Sequence, residues 1–264
     1  MSFELIFTLK VIVLGFQAMI PLALCAMGEV LAERAGVVNI GLEGIMLMSA
    51  FLGVVGTWAA GNALPAEQLW LAPWLGLLAG VATGLVIGLV HSWIGIYLKG
   101  DQIISGVAIN LFALGFAAFG IIVVWGVHGA FNMAANLKLP GWNILLDPAN
   151  PGEDPLYLGK VSYLLPFAFA MAGFIWWVLN KTAFGLRVKA VGENPEAADV
   201  AGIRVERVRL IAVLFGAALG GLAGAYTEGV TDIASMSALR PAGRLLVRRP
   251  GSPGRIARHR SDPY

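Results

Sequence analysis

Chemistry in this sequence would have to come from the few ionisable and polar side chains that interrupt long apolar runs. Glu43 stands about one turn into such a run, after Asn39 and Gly41. An ionisable group at membrane depth faces a bundle interior or a cavity and marks a functional position. If residues 39–43 are helical, Asn39 and Glu43 are four apart and share a face, and Asn39 is placed to cap the helix start. Two readings stand side by side. The pair ties off backbone donors near the membrane interface, or it forms the gating end of a pathway. Gln17, His91, Ser92, Trp93, Ser105 and Asn110 are further polar or aromatic groups in apolar runs. They line a polar path in one reading and bond to neighbouring helices in the other. His91 has no second ligand nearby and is not a metal site.

Catalysis is not indicated. There is no HExxH, no carboxylate dyad and no nucleophile–base pair at helical spacing. GxxxxGK[ST] is absent too, so this chain does not hydrolyse ATP by the P-loop mechanism. Cys25 is the single cysteine. It excludes an intrachain disulfide and reads as an inert packed thiol. Glu228 and Asp232 mark where the last apolar run ends.

These groups need apolar elements to hold them. Of the 264 residues, 58% are hydrophobic and 13% charged, against about 25% charged in soluble domains. Six runs reach the roughly 20 apolar residues a spanning helix needs, at about residues 5–27, 39–60, 69–97, 102–127, 161–180 and 208–231. The reading is therefore an all-α, polytopic transmembrane bundle of about six spanning helices over residues 1–237. The first run lacks a signal-peptide pattern and reads as a retained anchor. Residues 128–160, rich in Pro, Asn and Asp, suit an ordered external loop with a short helix or hairpin. Trp70, Trp74, Trp125, Trp142, Trp176 and Trp177 lie near helix ends, as in an interfacial belt.

Charge sets the orientation. Seven of the 12 arginines lie in residues 238–264, and the rest of the chain holds 11 basic and 15 acidic residues. That balance argues against a nucleic-acid binder. Lys181, Arg187, Lys189, Arg204, Arg207 and Arg209 surround one polar segment, which the positive-inside rule puts in the cytoplasm. Arg34 and Lys99 then fall on the same side.

That segment, FGLRVKAVGENPEAADVAGIRVERVR over 184–209, is a charged island between apolar runs. Gly192-Glu193-Asn194-Pro195 reads as a turn leading into a helix, with Asn194 as N-cap, Pro195 in the first position and Glu196 favoured by the helix dipole. Ala197, Ala198, Val200, Ala201 and Ile203 give a small apolar face, and Gly202 ends the helix. About two turns of helix are not stable alone in water. Something must cover it, unless the island is only a solvated connection.

The island resembles the cytoplasmic coupling loop of permease subunits of bacterial ABC importers. The string ERAGVVNIGLEG over 33–44, followed by IMLMSAFLG, resembles the nucleoside branch of that family, near the ribose and branched-chain amino-acid permeases. QIISGVAINLFAL from Gln102 is a third, supporting match. The matches cover most of residues 15–237. The resemblance implies a multi-pass protein of the bacterial inner membrane that meets an ABC ATPase subunit through Gly185, Arg187, Gly192, Glu193, Asn194, Pro195, Ala198 and Gly202. It implies a second permease subunit, a substrate-binding lipoprotein or periplasmic protein, no nucleic acid, and no cofactor on this chain, with ATP bound by the partner. Asn39, Glu43, Trp93, Ser105 and Asn110 are its gating or pathway candidates. Ribose-like sugars and branched-chain amino acids are alternative cargoes. An ion-coupled secondary transporter is the alternative mechanism, and it needs mid-membrane ionisable groups.

Residues 238–264 change character to Arg, Pro, Gly and Ser. They read as a disordered tail, where the family resemblance implies further apolar helices after EGVTDIASMSA. A frameshift near Ala238 would produce this composition and a truncated, non-functional permease. A basic tail that binds membrane lipid is the alternative. Sequencing the locus distinguishes them: the frameshift reading expects an apolar open frame just downstream, and its absence would sink that reading.

Overall fold

The computed structural model describes residues 3–126, 139, 141–145 and 157–230. Eight α-helices are found among them: α1 Phe3–Arg34, α2 Leu42–Ala63, α3 Ala72–Ser92, α4 Gln102–Trp125, α5 Leu164–Lys181, α6 Ala183–Glu193, α7 Pro195–Val200 and α8 Val205–Val230. A 3-10 turn, Ala66–Leu71, leads into α3, and a π-helical turn, Trp93–Tyr97, follows it. Six segments are long and apolar enough to cross a membrane: Val11–Arg34, Leu42–Ala63, Ala66–Tyr97, Gln102–Trp125, Leu164–Lys181 and Val205–Thr227. They are the six runs read from the sequence. The largest difference is at the end of α1, which runs on to Arg34 because Leu31 and Ala32 are buried in the bundle. The tail at 238–264 and Asp232 lie outside the described residues.

Helix α8 is the axis of the bundle. It packs on α1, α2 and α3, and 61% of its spanning window is buried, against 11% for α4. Between apolar helices in lipid there is little hydrophobic drive, so close backbone packing must hold them together. A Cβ on Gly28 of α1 would lie 2.7 Å from the Gly216 carbonyl of α8, and one on Gly84 of α3 would lie 2.9 Å from Gly221 Cα of α8. Those separations leave no room for a side chain.

Helix α4 sits on the outside, joined chiefly to α2. Phe51 of α2 lies over Gly120 and meets Phe116 and Trp125 edge-on at 5.8 and 6.1 Å. Helix α5 and the second strand of a hairpin lie along α1. The hairpin pairs β1, Gly141–Leu145, antiparallel with β2, Tyr157–Ser162, from Gly141↔Ser162 to Leu145↔Tyr157. It is the ordered piece expected in the 128–160 loop.

Gly84→Val should overpack the α3–α8 contact, at about 1–3 kcal/mol. Gly115→Ala, where a Cβ meets nothing within 4 Å, should not. Thermal unfolding in detergent compares them, and equal midpoints would contradict the close packing.

Candidate functional site

Polar side chains converge on the break between α1 and α2. Helix α1 closes with Gly36 in the left-handed region at φ 79°, a conformation that favours glycine. Residues 37–40 are then non-helical until α2 begins at Leu42. Backbone groups that leave a helix while buried in protein need partners. The Val38 N–H donates to Gln102 Oε1 at 3.0 Å and the Asn39 N–H to Glu29 Oε1 at 2.8 Å. The Gly41 N–H donates to Asn39 Oδ1 at 3.1 Å. Asn110 bridges the break to α2: its Oδ1 accepts from the Gly44 N–H at 2.7 Å and its Nδ2 donates to the Ile40 carbonyl at 3.1 Å. Arg209 Nε of α8 donates to the Ala35 carbonyl at 3.1 Å. The break is thereby tied to α1, α4 and α8.

The expected helical pairing of Asn39 with Glu43 is corrected here. Helix α2 starts three residues after Asn39, so the two do not share a helical face. Asn39 is buried and bonds its own backbone two residues on, whereas Glu43 is exposed in the first turn of α2. The reason is tertiary. Gly106 of α4 comes so close that a Cβ there would lie 2.8 Å from the Gly41 nitrogen, and the extended backbone gives up its donors to α1 and α4.

Sequence reading missed Glu29 and Gln102. Glu29 reads in sequence only as a carboxylate just past the first apolar run, and its second oxygen, Oε2, is buried without a hydrogen-bond partner.

Among the remaining pathway candidates, Ser105 is buried with its hydroxyl 3.1 Å from His91 Nδ1. That contact joins α3 to α4. Ser92 is fully buried, Gln17 half-buried, and Trp93 exposed beside Tyr97 at 5.5 Å. The structure brings Asn39 and Asn110 to one cluster; Glu43 and Trp93 make no bond within it.

The charged island folds as two helices rather than one. Thr182 caps α6, accepting from the Gly185 N–H at 3.2 Å, and α6 continues through Gly192 to Glu193. Gly192 is therefore not in a turn as its Gly-Glu-Asn-Pro context suggested. It lies directly against the Arg34 carbonyl at the end of α1, with Gly36 beside it. Asn194 caps α7 as expected, accepting from the Ala197 N–H at 3.0 Å, with Pro195 in the first position. Gly202 closes α7 at φ 83°. Of the expected apolar face, Ala198 is buried, while Val200 is 90% exposed. Leu186 of α6 is 70% exposed. Arg187, Glu193 and Glu196 are also exposed.

A polar cleft of about 730 Å³ lies between the α3–α4 turn and the start of α8, with Lys99, Gln102, Glu196, Asp199, Arg204 and Arg209 on its walls. Gln102 and Arg209 are the same side chains that hold the break. The island, the cleft and the break thus form one connected unit.

Replacing Asn110 with Ala strands the Gly44 N–H and the Ile40 carbonyl. The expected loss of folding stability is about 1–3 kcal/mol. Thermal unfolding reads it, and a midpoint matching the native chain would show that Asn110 does not hold the break.

Residues 11–239 match the family described as branched-chain amino acid transport system / permease component. Over 207 residues the chain is 40% identical to the guanosine ABC transporter permease protein NupQ of Bacillus subtilis, covering 77% of this chain and 62% of that protein. It is 34% identical over 228 residues to the nucleoside ABC transporter permease protein NupC of Lactococcus lactis, covering 86% of this chain and 70% of that one. It is 35% identical over 212 residues to a putative glucose ABC transporter permease protein of Haloferax volcanii, covering 80% and 60%. The chain thus spans about three fifths to seven tenths of the length of these relatives. No solved structure matches it.

Proposed function

The chain belongs to the permease-component family of the branched-chain amino acid transport system, and from that premise we propose that it is the membrane-spanning permease subunit of an ATP-driven importer of nucleosides. It is a multi-pass inner-membrane protein, with six apolar helices among the described residues. The observation that carries the coupling part of the reading is the α6–α7 pair. It presents exposed Leu186 and Val200 outward, and its Gly192 backbone rests on the end of α1. Large apolar side chains beside exposed Arg187, Glu193 and Glu196 suit a face with an apolar centre and a polar rim that a protein partner covers. The partner is an ABC ATPase subunit, which binds and hydrolyses ATP; this chain does no chemistry of its own and needs no cofactor.

The mechanism follows from the contacts. Closure of the ATPase pushes on α7 and α6. Gly192 passes the displacement to Arg34 and Gly36. Of the next residues, Val38, Asn39 and Ile40 are held by side-chain bonds to Gln102, Glu29 and Asn110, and Arg209 holds Ala35 just before them. An irregular backbone held by side chains changes shape more easily than a continuous helix, so movement there tilts α2 against α4. Asn39 and Asn110 act as positioning residues of this gate. Glu43, Trp93 and Ser105 make no bond to this gate and stay candidates for lining the path.

A second permease subunit completes the path, and a lipoprotein or periplasmic binding protein delivers cargo. The nucleoside assignment rests on the two relatives whose names carry guanosine and nucleoside. The relative named for glucose makes a sugar the competing cargo.

Uptake of labelled guanosine in cells with and without the gene tests the reading. Loss on deletion, competed by other nucleosides but not by ribose, glucose or leucine, is expected. Competition by a sugar or leucine alone would reassign the cargo, and uptake abolished by an uncoupler but not by ATP depletion would indicate an ion-driven transporter. Within the complex, Gly202→Val forces a branched side chain into the left-handed region, a strain of roughly 1–2 kcal/mol. Uptake should fall about tenfold with the protein still inserted and ATP hydrolysis retained. Coupled transport at the native rate would defeat the coupling role of α7.

A further inference from the structure

The α1–α5 face carries a second site. A cleft of about 380 Å³ lies there, floored by Met27, Val30, Ile175 and Trp176 and rimmed by Arg34 and Lys189. Arg34 ends α1 and Lys181 ends α5, so the rim lies where the helices leave the bilayer on the cytoplasmic side. Lys189 rises from α6 and is half-buried. Its Nζ donates to Asn180 Oδ1 at 3.1 Å, which holds the ammonium over the cleft. Asn180 in turn donates from Nδ2 to the Trp176 carbonyl at 2.8 Å. No carboxylate lines the cleft, so two cations meet there without a counter-charge from its walls. Trp176, 59% exposed, stands at the depth where indole rings favour the headgroup boundary.

We propose that this cleft binds one anionic phospholipid of the inner leaflet, with an acyl chain along Met27, Val30 and Ile175 and the phosphate between Arg34 and Lys189. Charge complementarity selects the occupant. A zwitterionic lipid brings its own cation to the rim, and a second protein helix would have to supply an acidic group in register with both cations. A soluble phosphate would leave the apolar floor uncovered. The bound lipid also braces α6 against α1 beside the Gly192–Arg34 contact, so membrane composition would act on the coupling helices.

The test is native mass spectrometry of the full-length chain in detergent, titrated with phosphatidylglycerol or phosphatidylcholine of matched acyl chains. Phosphatidylglycerol should bind more tightly, by about fivefold for each cation it meets. Arg34→Gln with Lys189→Gln should erase the preference, and Arg187→Gln, on the exposed side of α6, should keep it. Val30→Trp, which fills the floor and leaves the charges, should also prevent retention. Thermal unfolding of each variant confirms that it is folded. Equal affinity for the two lipids in the native chain, or an unchanged preference in the double variant, would overturn the site. Loss in the charge variant but not in Val30→Trp would mean an anion contact without a lipid chain, and would overturn it equally.

Discussion

A backbone that stops being helical while still buried among other helices leaves donors and acceptors that need partners. The rest of this structure is arranged around that constraint at residues 35–41. Four side chains from three helices meet it: Glu29 from α1, Gln102 and Asn110 from α4, and Arg209 from α8. Asn39 supplies a fifth bond from within the break. Because these partners are side chains, the helices that carry them are fixed in register relative to the break. Helix α4 has little buried surface of its own. It stays in place through Asn110 at one end and the Phe51 aromatic contacts at the other.

Close packing around α8 supplies the rigid body that the break works against. Small residues on α1, α3 and α8 bring backbones within van der Waals contact, which replaces the hydrophobic drive missing between helices in lipid. The bundle thus divides into a tightly packed part and a part held by discrete hydrogen bonds. The second is suited to change shape, since exchanging one hydrogen-bond partner for another costs less than opening a packed helix interface.

Helix α6 packs on α5, both α6 and α7 pack on the rigid axis α8, and α6 also reaches the end of α1, where the movable part starts. Helix α6 ends on the Arg34 carbonyl, one residue before the break begins. The cleft above shares Gln102 and Arg209 with the break. Force applied to α7 therefore has a short contiguous route through Gly192 and Gly36 to residues 37–41. The lipid cleft on the other side of α6 offers a second handle on the same route, through Lys189 and Arg34.

Much of this was legible in the sequence. Six apolar runs of sufficient length gave the six spans. Asn194, Pro195 and Gly202 signalled their own roles in α7, because capping and left-handed closure depend on residues within one turn of each other. The string ERAGVVNIGLEG marked the α1–α2 junction as unusual. Its geometry was not legible. Helical spacing put Asn39 and Glu43 on one face, but the approach of Gly106 and the demand of Glu29, Gln102 and Asn110 for backbone partners drew the chain out and separated them. Gly192 read as a turn residue because nothing local shows that α1 ends against it. Residue order alone decided which segments form long apolar helices, since length and hydropathy are local quantities. Only the tertiary structure decided which polar side chain serves which backbone atom, because those partners are up to 174 residues apart and their pairing depends on how close the helices come.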